Sequence, residues 1–278
     1  MKKVIGKFFL ILLGLILMVL ALAYIDFEHR TSPVNSIAHR GYSAEAPENT
    51  LAAYRLAKEK GFSYVECDIS FTKDGTPVLL HDSSIDRTSN GQGELSDLTY
   101  DEIKGFDFGG WFSSDYAGEK IPKFSEFIDL CVELELHPYL ELKSNGDYTE
   151  DQIAKLVELV EYKGLKGKVT WISFEYSYLA YIKVVDPSAR LGYVTKGIDE
   201  NIIENTKNLM TGTNEVFIDA QVNKFGYKEL KLAEEAGVAV EVWTVNYIFL
   251  MRKLSSYISG VTSDKLIAED IMNMQTEE

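Results

Sequence analysis

From residue 35 onward, short β-rich runs alternate with amphipathic helical stretches to the end of this 278-residue chain. Eight such runs fall within about 240 residues, and that count predicts an α/β fold of the (β/α)8 barrel type rather than an open sheet. Two features break the alternation: a hairpin signal followed by a long Gly- and Asp-rich stretch, and an apolar N-terminal segment.

The first 25 residues stand apart. MKKVIGKFFLILLGLILMVLALAYI sets Lys2, Lys3 and Lys7 before an uncharged apolar run over 8–25. As a helix with ~1.5 Å rise per residue this run reaches ~27 Å, close to the hydrocarbon thickness of a bilayer. The positive-inside rule keeps the basic flank cytoplasmic. Residues 1–25 are therefore expected to be a single-pass transmembrane anchor, with the remaining domain extracellular. A cleaved signal peptide is the rival, because Ala21-Leu22-Ala23 resembles a small-residue cleavage site. The length of the run, and the position of that tripeptide inside it, favour the anchor. Residues 26–35 are then a linker reaching at most ~35 Å when extended, and 36–278 form the barrel.

The expected strands are 36–40 (SIAHR), 64–70 (YVECDIS), 137–143 (HPYLELK), 168–173 (KVTWIS), 190–194 (RLGYV), 215–219 (EVFID), 238–244 (VAVEVWT) and 259–263 (SGVTS). Helical patterns cover 51–60, 124–135, 149–162, 176–185, 199–210, 227–236 and 248–254. After the second strand, FTKDGTPVLLHD sets Asp74-Gly75 between two β-type runs, which signals a hairpin. Residues 83–120 carry Phe106, Phe108, Trp111, Phe112 and Tyr116 and exceed an ordinary βα loop. They are read as an insertion over the top of the barrel.

Composition narrows the function classes. The chain has 43 acidic and 28 basic residues, a formal charge of −15. Nucleic-acid binding needs a basic footprint and is excluded. An anionic substrate must be drawn by a metal or by a small Lys/Arg cluster. Cys67 and Cys131 are the only cysteines, so there is neither a disulfide framework nor a cysteine zinc site.

Barrel active sites form at the C-terminal ends of the strands. The first strand ends at His39-Arg40-Gly41. On the second, alternation puts Glu66 and Asp68 on one face, with Cys67 and Ile69 opposite; on the third, Glu141 and Lys143 share a face. The apolar sets belong against the helices, so the charged sets point into the barrel mouth. The hairpin should fold Ser70 near Val78 and Asp68 near Leu80, which delivers His81 beside Glu66 and Asp68. His29 lies next to the apolar segment and His137 at the closed end, so neither reaches the mouth. Three converging carboxylates outnumber Arg40 and Lys143 and call for one divalent cation, Mg²⁺ or Ca²⁺, since hard cations take oxygen ligands. Two histidines with such a cation, Arg40 and Lys143 suit a phosphate ester, the histidines serving as base and acid.

These residues match a known pattern. AHRG with PENT, then ECDISFTKDGTPVLLHD and LELKS, closely resemble the glycerophosphodiester phosphodiesterases, as do the insertion and the late VWTVN. The resemblance spans roughly residues 37–263. It implies a phosphodiesterase barrel that cleaves glycerophosphodiesters to an alcohol and glycerol 3-phosphate, with the glycerol 2-hydroxyl as nucleophile and a cyclic phosphate between. By position it implies His39 and His81 as the catalytic pair and Glu66, Asp68 and Glu141 as metal ligands. Arg40 and Lys143 then hold phosphate and Trp243 forms an aromatic wall beside the substrate. Which histidine acts first as base stays open.

Several residues carry plainer readings. Glu48, Asn49 and Thr50 are read equally well as capping the helix at Leu51. Trp243 could instead pack the barrel interior. Cys67 has the parity of a buried, inert thiol, and Asp82, Asp86 and Arg87 brace the loop carrying His81. The expected substrate is a small or cell-wall glycerophosphodiester, with the membrane a partner only through the N-terminal helix. Two alternatives are a lipid-directed phosphodiesterase of the lysophospholipase D, phosphatidylinositol phospholipase C or sphingomyelinase D type, and a non-catalytic surface-binding barrel.

Overall fold

The computed structural model describes residues 34–143, 147–247, 257–266 and 269–270. The elements run β1 (Asn35–Ala38), α1 (Leu51–Glu59), β2 (Tyr64–Phe71), β3 (Pro77–Leu79), α2 (Tyr100–Ile103), α3 (Phe124–Leu134), β4 (His137–Leu142) and α4 (Glu150–Tyr162). They continue with β5 (Thr170–Ser173), α5 (Tyr176–Val185), β6 (Arg190–Thr195), α6 (Glu200–Leu209), β7 (Val216–Gln221), α7 (Tyr227–Glu235), β8 (Ala239–Trp243) and β9 (Gly260–Ser263).

Strands β2, β4, β5, β6, β7, β8 and β9 pair in parallel in that order, and β1 pairs with both β9 and β2. The sheet therefore closes on itself as an eight-stranded parallel barrel, as the alternation predicts. The ninth strand, β3, pairs antiparallel with β2 in the register Ile69↔Leu79, Ser70↔Val78. That is the hairpin expected at Asp74-Gly75, where Gly75 takes φ 76°, a left-handed conformation open to glycine without a Cβ clash.

Strand alternation sorts the side chains. Val65, Cys67 and Ile69 of β2 join Leu140 and Leu142 of β4 in the large cluster under α1, α3 and α4, where Phe124 and Phe127 are also fully buried. Truncating such a phenylalanine to alanine costs ~3–5 kcal/mol through lost transfer energy and the cavity left behind. The opposite parity fills the barrel interior with Ile37, Tyr139, Ile172, Val194 and Phe217. A second outer cluster joins β7, β8 and β9 to α6 and α7 through Ile218, Val240, Val261 and Leu230. The helices start on polar caps: Thr50 accepts from the Ala53 amide, Asp199 from Ile202, and Thr149 forms a capping box with Gln152.

Residues 83–120 carry their own small core of Ile85, Leu95, Ile103 and Phe108, closed against Val78 and Leu80 of the hairpin. This is the expected insertion. The strand expected from 168 starts only at Thr170, because Lys168 turns back to donate to the Leu165 carbonyl. The helix expected over 248–254 and the anchor and most of the linker expected over 1–33 lie outside the described residues. Among the described residues no helix is long and apolar enough to cross a membrane.

Candidate active site

Beyond Ala38 the chain turns through Arg40 and Gly41, both with positive φ (57° and 80°). A Cβ on Gly41 would lie 2.7 Å from the Ala53 backbone carbon, so this turn admits glycine alone. The turn aims the Arg40 amide at Glu66 Oε2, 2.9 Å away. It leaves His39 over the barrel with Nε2 3.9 Å from the same oxygen.

Glu66, Asp68 and Glu141 each bring a carboxylate oxygen within 4.8 Å of the others. All three are buried, as the strand parity predicts. Lys143 Nζ sits 3.1 Å from Asp68 Oδ1 and 2.9 Å from Glu141 Oε1, and Arg40 Nε lies 3.2 Å from Asp68 Oδ2. Both expected phosphate-holding cations are thus at the acidic cluster, with Asp68 between them. Burial works against Asp68 ionising, yet Arg40, Lys143 and the histidines hold its carboxyl well below the usual range. Glu66 goes the other way: burial, then Asp68 and Glu141, push it well up. Burial and Asp68 raise Glu141 as well, against the pull of Lys143.

This imbalance is the test of fit for a cation. Glu66 Oε1 is buried without a hydrogen-bond partner, and the two cations leave the cluster short of positive charge. An all-oxygen donor set with an orphaned buried oxygen fits a hard divalent ion.

Each mouth histidine is held at Nδ1. His39 Nδ1 is 2.6 Å from Asp264 Oδ1, and His81 Nδ1 is 2.7 Å from Asp82 Oδ1. A carboxylate at Nδ1 selects the tautomer with the proton there and leaves Nε2 free to exchange protons. Asp264 is fixed in turn by Asn246, whose amide donates to Oδ2 at 2.6 Å while its oxygen accepts from the Asp264 amide at 3.0 Å. Burial disfavours the charged form of Asp264, but the His39 bond and the Asn246 amide bring it down to about 2. Asp82 is likewise lowered to about 2, first by the Arg87 guanidinium.

PENT divides its labour. Thr50 is the helix cap. Asn49, in left-handed backbone at φ 57°, donates to Asp68 Oδ2 at 2.8 Å, while its oxygen accepts from the Asp68 amide and the Tyr54 hydroxyl. Glu48 binds Arg40 at 2.8 Å. The capping reading therefore holds for Thr50 alone. Trp243 faces inward, half-buried, with its indole N–H on the Asp219 carbonyl at 3.1 Å and its ring edge-on to Phe174 at 5.6 Å. Cys67 is fully buried among the helices, and burial raises its thiol well above the ordinary range.

The sequence reading missed Asp264, Asn246 and the site role of Asn49. Asp264 had one available signal, since it directly follows the last strand at the active end of the barrel.

A profile of the glycerophosphoryl diester phosphodiesterase family matches residues 39–267. The chain belongs to this family. A glycerophosphodiester phosphodiesterase of Caldanaerobacter subterraneus is 36% identical over 156 residues, covering 56% of this chain and 64% of the relative. Glycerophosphodiester phosphodiesterase 1 of Bos taurus is 42% identical over 125 residues, 44% of this chain and 38% of the relative. The chain thus spans under two thirds of the length of these curated relatives. A phosphodiesterase of Oleispira antarctica, solved in complex with the product sn-glycerol-3-phosphate, superposes with a TM-score of 0.77 at 29% identity, over 88% of this chain and 98% of that one. The eight-stranded parallel barrel is the fold shared with that structure.

Proposed function

We propose that this protein hydrolyses glycerophosphodiesters to an alcohol and sn-glycerol 3-phosphate, using His39 and His81 as the proton-exchanging pair. The observation that carries this reading is the buried triad of Glu66, Asp68 and Glu141 beside two histidines, each tied through Nδ1 to its own carboxylate.

In this reading Glu66, Asp68 and Glu141 hold one divalent cation, Ca²⁺ or Mg²⁺. When bound, it neutralises the cluster and polarises a phosphate oxygen. Arg40 and Lys143 take the remaining anionic oxygens. One histidine removes the proton of the glycerol 2-hydroxyl as that oxygen bonds to phosphorus. The other protonates the alcohol oxygen as its bond to phosphorus breaks. Water then opens the cyclic phosphate with the two roles exchanged. Trp243 and Phe174 wall the glycerol side.

The chelator assay tests this. The protein should release glycerol 3-phosphate from a panel of glycerophosphodiesters, lose turnover with chelator and regain it with Mg²⁺ or Ca²⁺. Full turnover in metal-free buffer would exclude the cation.

The same proposal makes residues 1–25 a membrane anchor that holds the barrel outside the cell, supported by the Lys2, Lys3 and Lys7 flank and the apolar run. None of the residues given a role in the mouth comes from 1–33, and a water-soluble or cell-wall diester is the expected substrate. Removing residues 1–30 should leave turnover of small diesters within a few-fold. A vesicle lysophospholipid preference that vanishes with the anchor would overturn the soluble-substrate reading.

A further inference from the structure

Arg87 lies in the insertion, away from the barrel strands, and its side chain is 45% exposed. An exposed arginine of this kind is ordinarily a solvated surface charge. Here every guanidinium nitrogen is engaged. Nε donates to Asp82 Oδ2 at 2.6 Å, while the two terminal nitrogens grip both oxygens of Glu48 at 2.6 and 2.9 Å.

The two acids come from different loops and serve different ends of the site. Asp82 follows the hairpin, and its other oxygen holds His81 Nδ1. Glu48 lies between β1 and α1, and its Oε1 also accepts from Arg40 at 2.8 Å. Arg40 in turn reaches Asp68. A continuous chain of contacts therefore runs from His81 through Asp82, Arg87 and Glu48 to Arg40 and the acidic triad. The contacts of Arg87 join the loop that carries the proton-exchanging histidine to the loop that carries the phosphate-holding arginine.

The charges agree with that role. Glu48 is largely buried between two guanidinium groups, and despite that burial its carboxyl is held below the ordinary range by Arg87 and Arg40. With Arg87 present, Glu48 needs only one further bond from Arg40, which stays free to face Asp68. Removing Arg87 would leave Arg40 as the one cationic partner of Glu48 among the described residues, pulling Arg40 toward Glu48 and away from Asp68, and would take from Asp82 the bond that fixes its rotamer. Exposed ion pairs contribute little to stability, but a planar guanidinium bonded at both its edge and its end fixes direction.

We propose that Arg87 is a positioning residue that sets His81 and Arg40 at a fixed separation across the mouth, acting through Asp82 and Glu48. This rests on the catalytic reading of His81 and Arg40 given above.

The test uses the full chain with Arg87→Ala, Arg87→Lys, Asp82→Asn and the double variant Arg87→Ala/Asp82→Asn. Turnover of a glycerophosphodiester is measured, and the affinity for glycerol 3-phosphate is measured by calorimetry. Groups that orient a reacting group typically carry a ~10–100-fold effect. Arg87→Ala is therefore expected to lose ~10–100-fold in kcat and to weaken glycerol 3-phosphate ~10-fold, with thermal stability near that of the wild type. Arg87→Lys should recover only a small part, because one ammonium cannot bridge both carboxylates in the same geometry. The double variant should lose little more than the worse single one, as members of one chain are not additive. A bracing role alone would lower the folded fraction and leave kcat per active site and phosphate affinity unchanged, and that result overturns the proposal. Calorimetry needs no turnover. A chain that binds glycerol 3-phosphate but cleaves no diester overturns the reading of function, whereas unchanged affinity in Arg87→Ala overturns the role of Arg87.

Discussion

Replacing Asp264 by asparagine exchanges one oxygen for an amide and removes the charge that faces His39. The surroundings leave the new side chain no good orientation. Asn246 is locked, because its oxygen already accepts from the Asp264 amide and the Ser263 hydroxyl, so its NH₂ must point at position 264. If the new asparagine turns its oxygen to His39, its NH₂ meets the NH₂ of Asn246. If it turns its NH₂ to His39, it demands an unprotonated Nδ1 and moves the imidazole proton to Nε2, the nitrogen meant to exchange protons with substrate. Either way the short bond between His39 and a carboxylate, 2.6 Å in the wild type, is lost. A hydrogen bond to a charged group is worth about 1.5–3 kcal/mol, and 1.36 kcal/mol is tenfold in rate. The expected loss in kcat is therefore about 10–150-fold, with KM changing less because Arg40 and Lys143 are untouched. The assay is glycerol 3-phosphate release at neutral pH, with circular dichroism to confirm folding. Asn246→Ala should show the same direction at smaller size, since Asp264 keeps its charge. An Asp264→Asn enzyme within twofold of wild type would show that Nδ1 of His39 needs no carboxylate, and the dyad argument would fail.

The histidines should each matter outright: His39→Ala and His81→Ala are expected to lose at least ~10²-fold in turnover, and the wild-type rate should be bell-shaped in pH. Near-wild-type turnover in either variant would remove that residue from the reaction. Metal binding can be read without turnover, because a ligand that binds only the folded chain raises its melting temperature, by about 2.7 kcal/mol of stability at a hundredfold excess over Kd. Mg²⁺ or Ca²⁺ should therefore raise the melting temperature of the wild type and do so much less for Glu66→Gln. An equal rise in both would take Glu66 out of the ligand set. Asp219, buried inside the barrel with Glu241 and Glu141 as neighbours, has its carboxyl pushed well up, first by burial. A folded-state value above the unfolded one means its contribution is complete below the unfolded value, near pH 4, and is lost as pH rises toward the folded value. Asp219→Asn carries no such titration, so its melting temperature relative to wild type should climb from pH 4 to pH 8; a constant difference would show that Asp219 is not held neutral.

Much of the site was readable residue by residue because strand parity is a local property. Once YVECDIS is a strand with its apolar residues outward, Glu66 and Asp68 must face inward together, and the same logic brings Glu141 and Lys143 to them. The hairpin was equally local, as Asp74-Gly75 sets the return and the antiparallel register brings Leu80, and His81 after it, back to the level of Asp68. What escaped the reading were side chains whose partners are remote in sequence. Asp264 meets His39 only because β9 closes the barrel against β1, a contact across 225 positions. Asn49 looked like part of a helix cap because Thr50, its neighbour, is one.

By itself the sequence determined the alternation of strands and helices, the inward parity of Glu66, Asp68 and Glu141, the hairpin that returns His81, and the excess of acid at the barrel mouth. These follow from periodicity and charge, which any short stretch displays on its own. Only the tertiary structure decided which nitrogen of each histidine is held, that Arg40 and Lys143 both lean on Asp68, and that Glu48 and Arg87 link the insertion to the mouth. Those outcomes depend on barrel closure and on loops packed side by side. A hydrogen bond a few ångströms long is set by where two distant segments come to rest, and no local pattern encodes that distance.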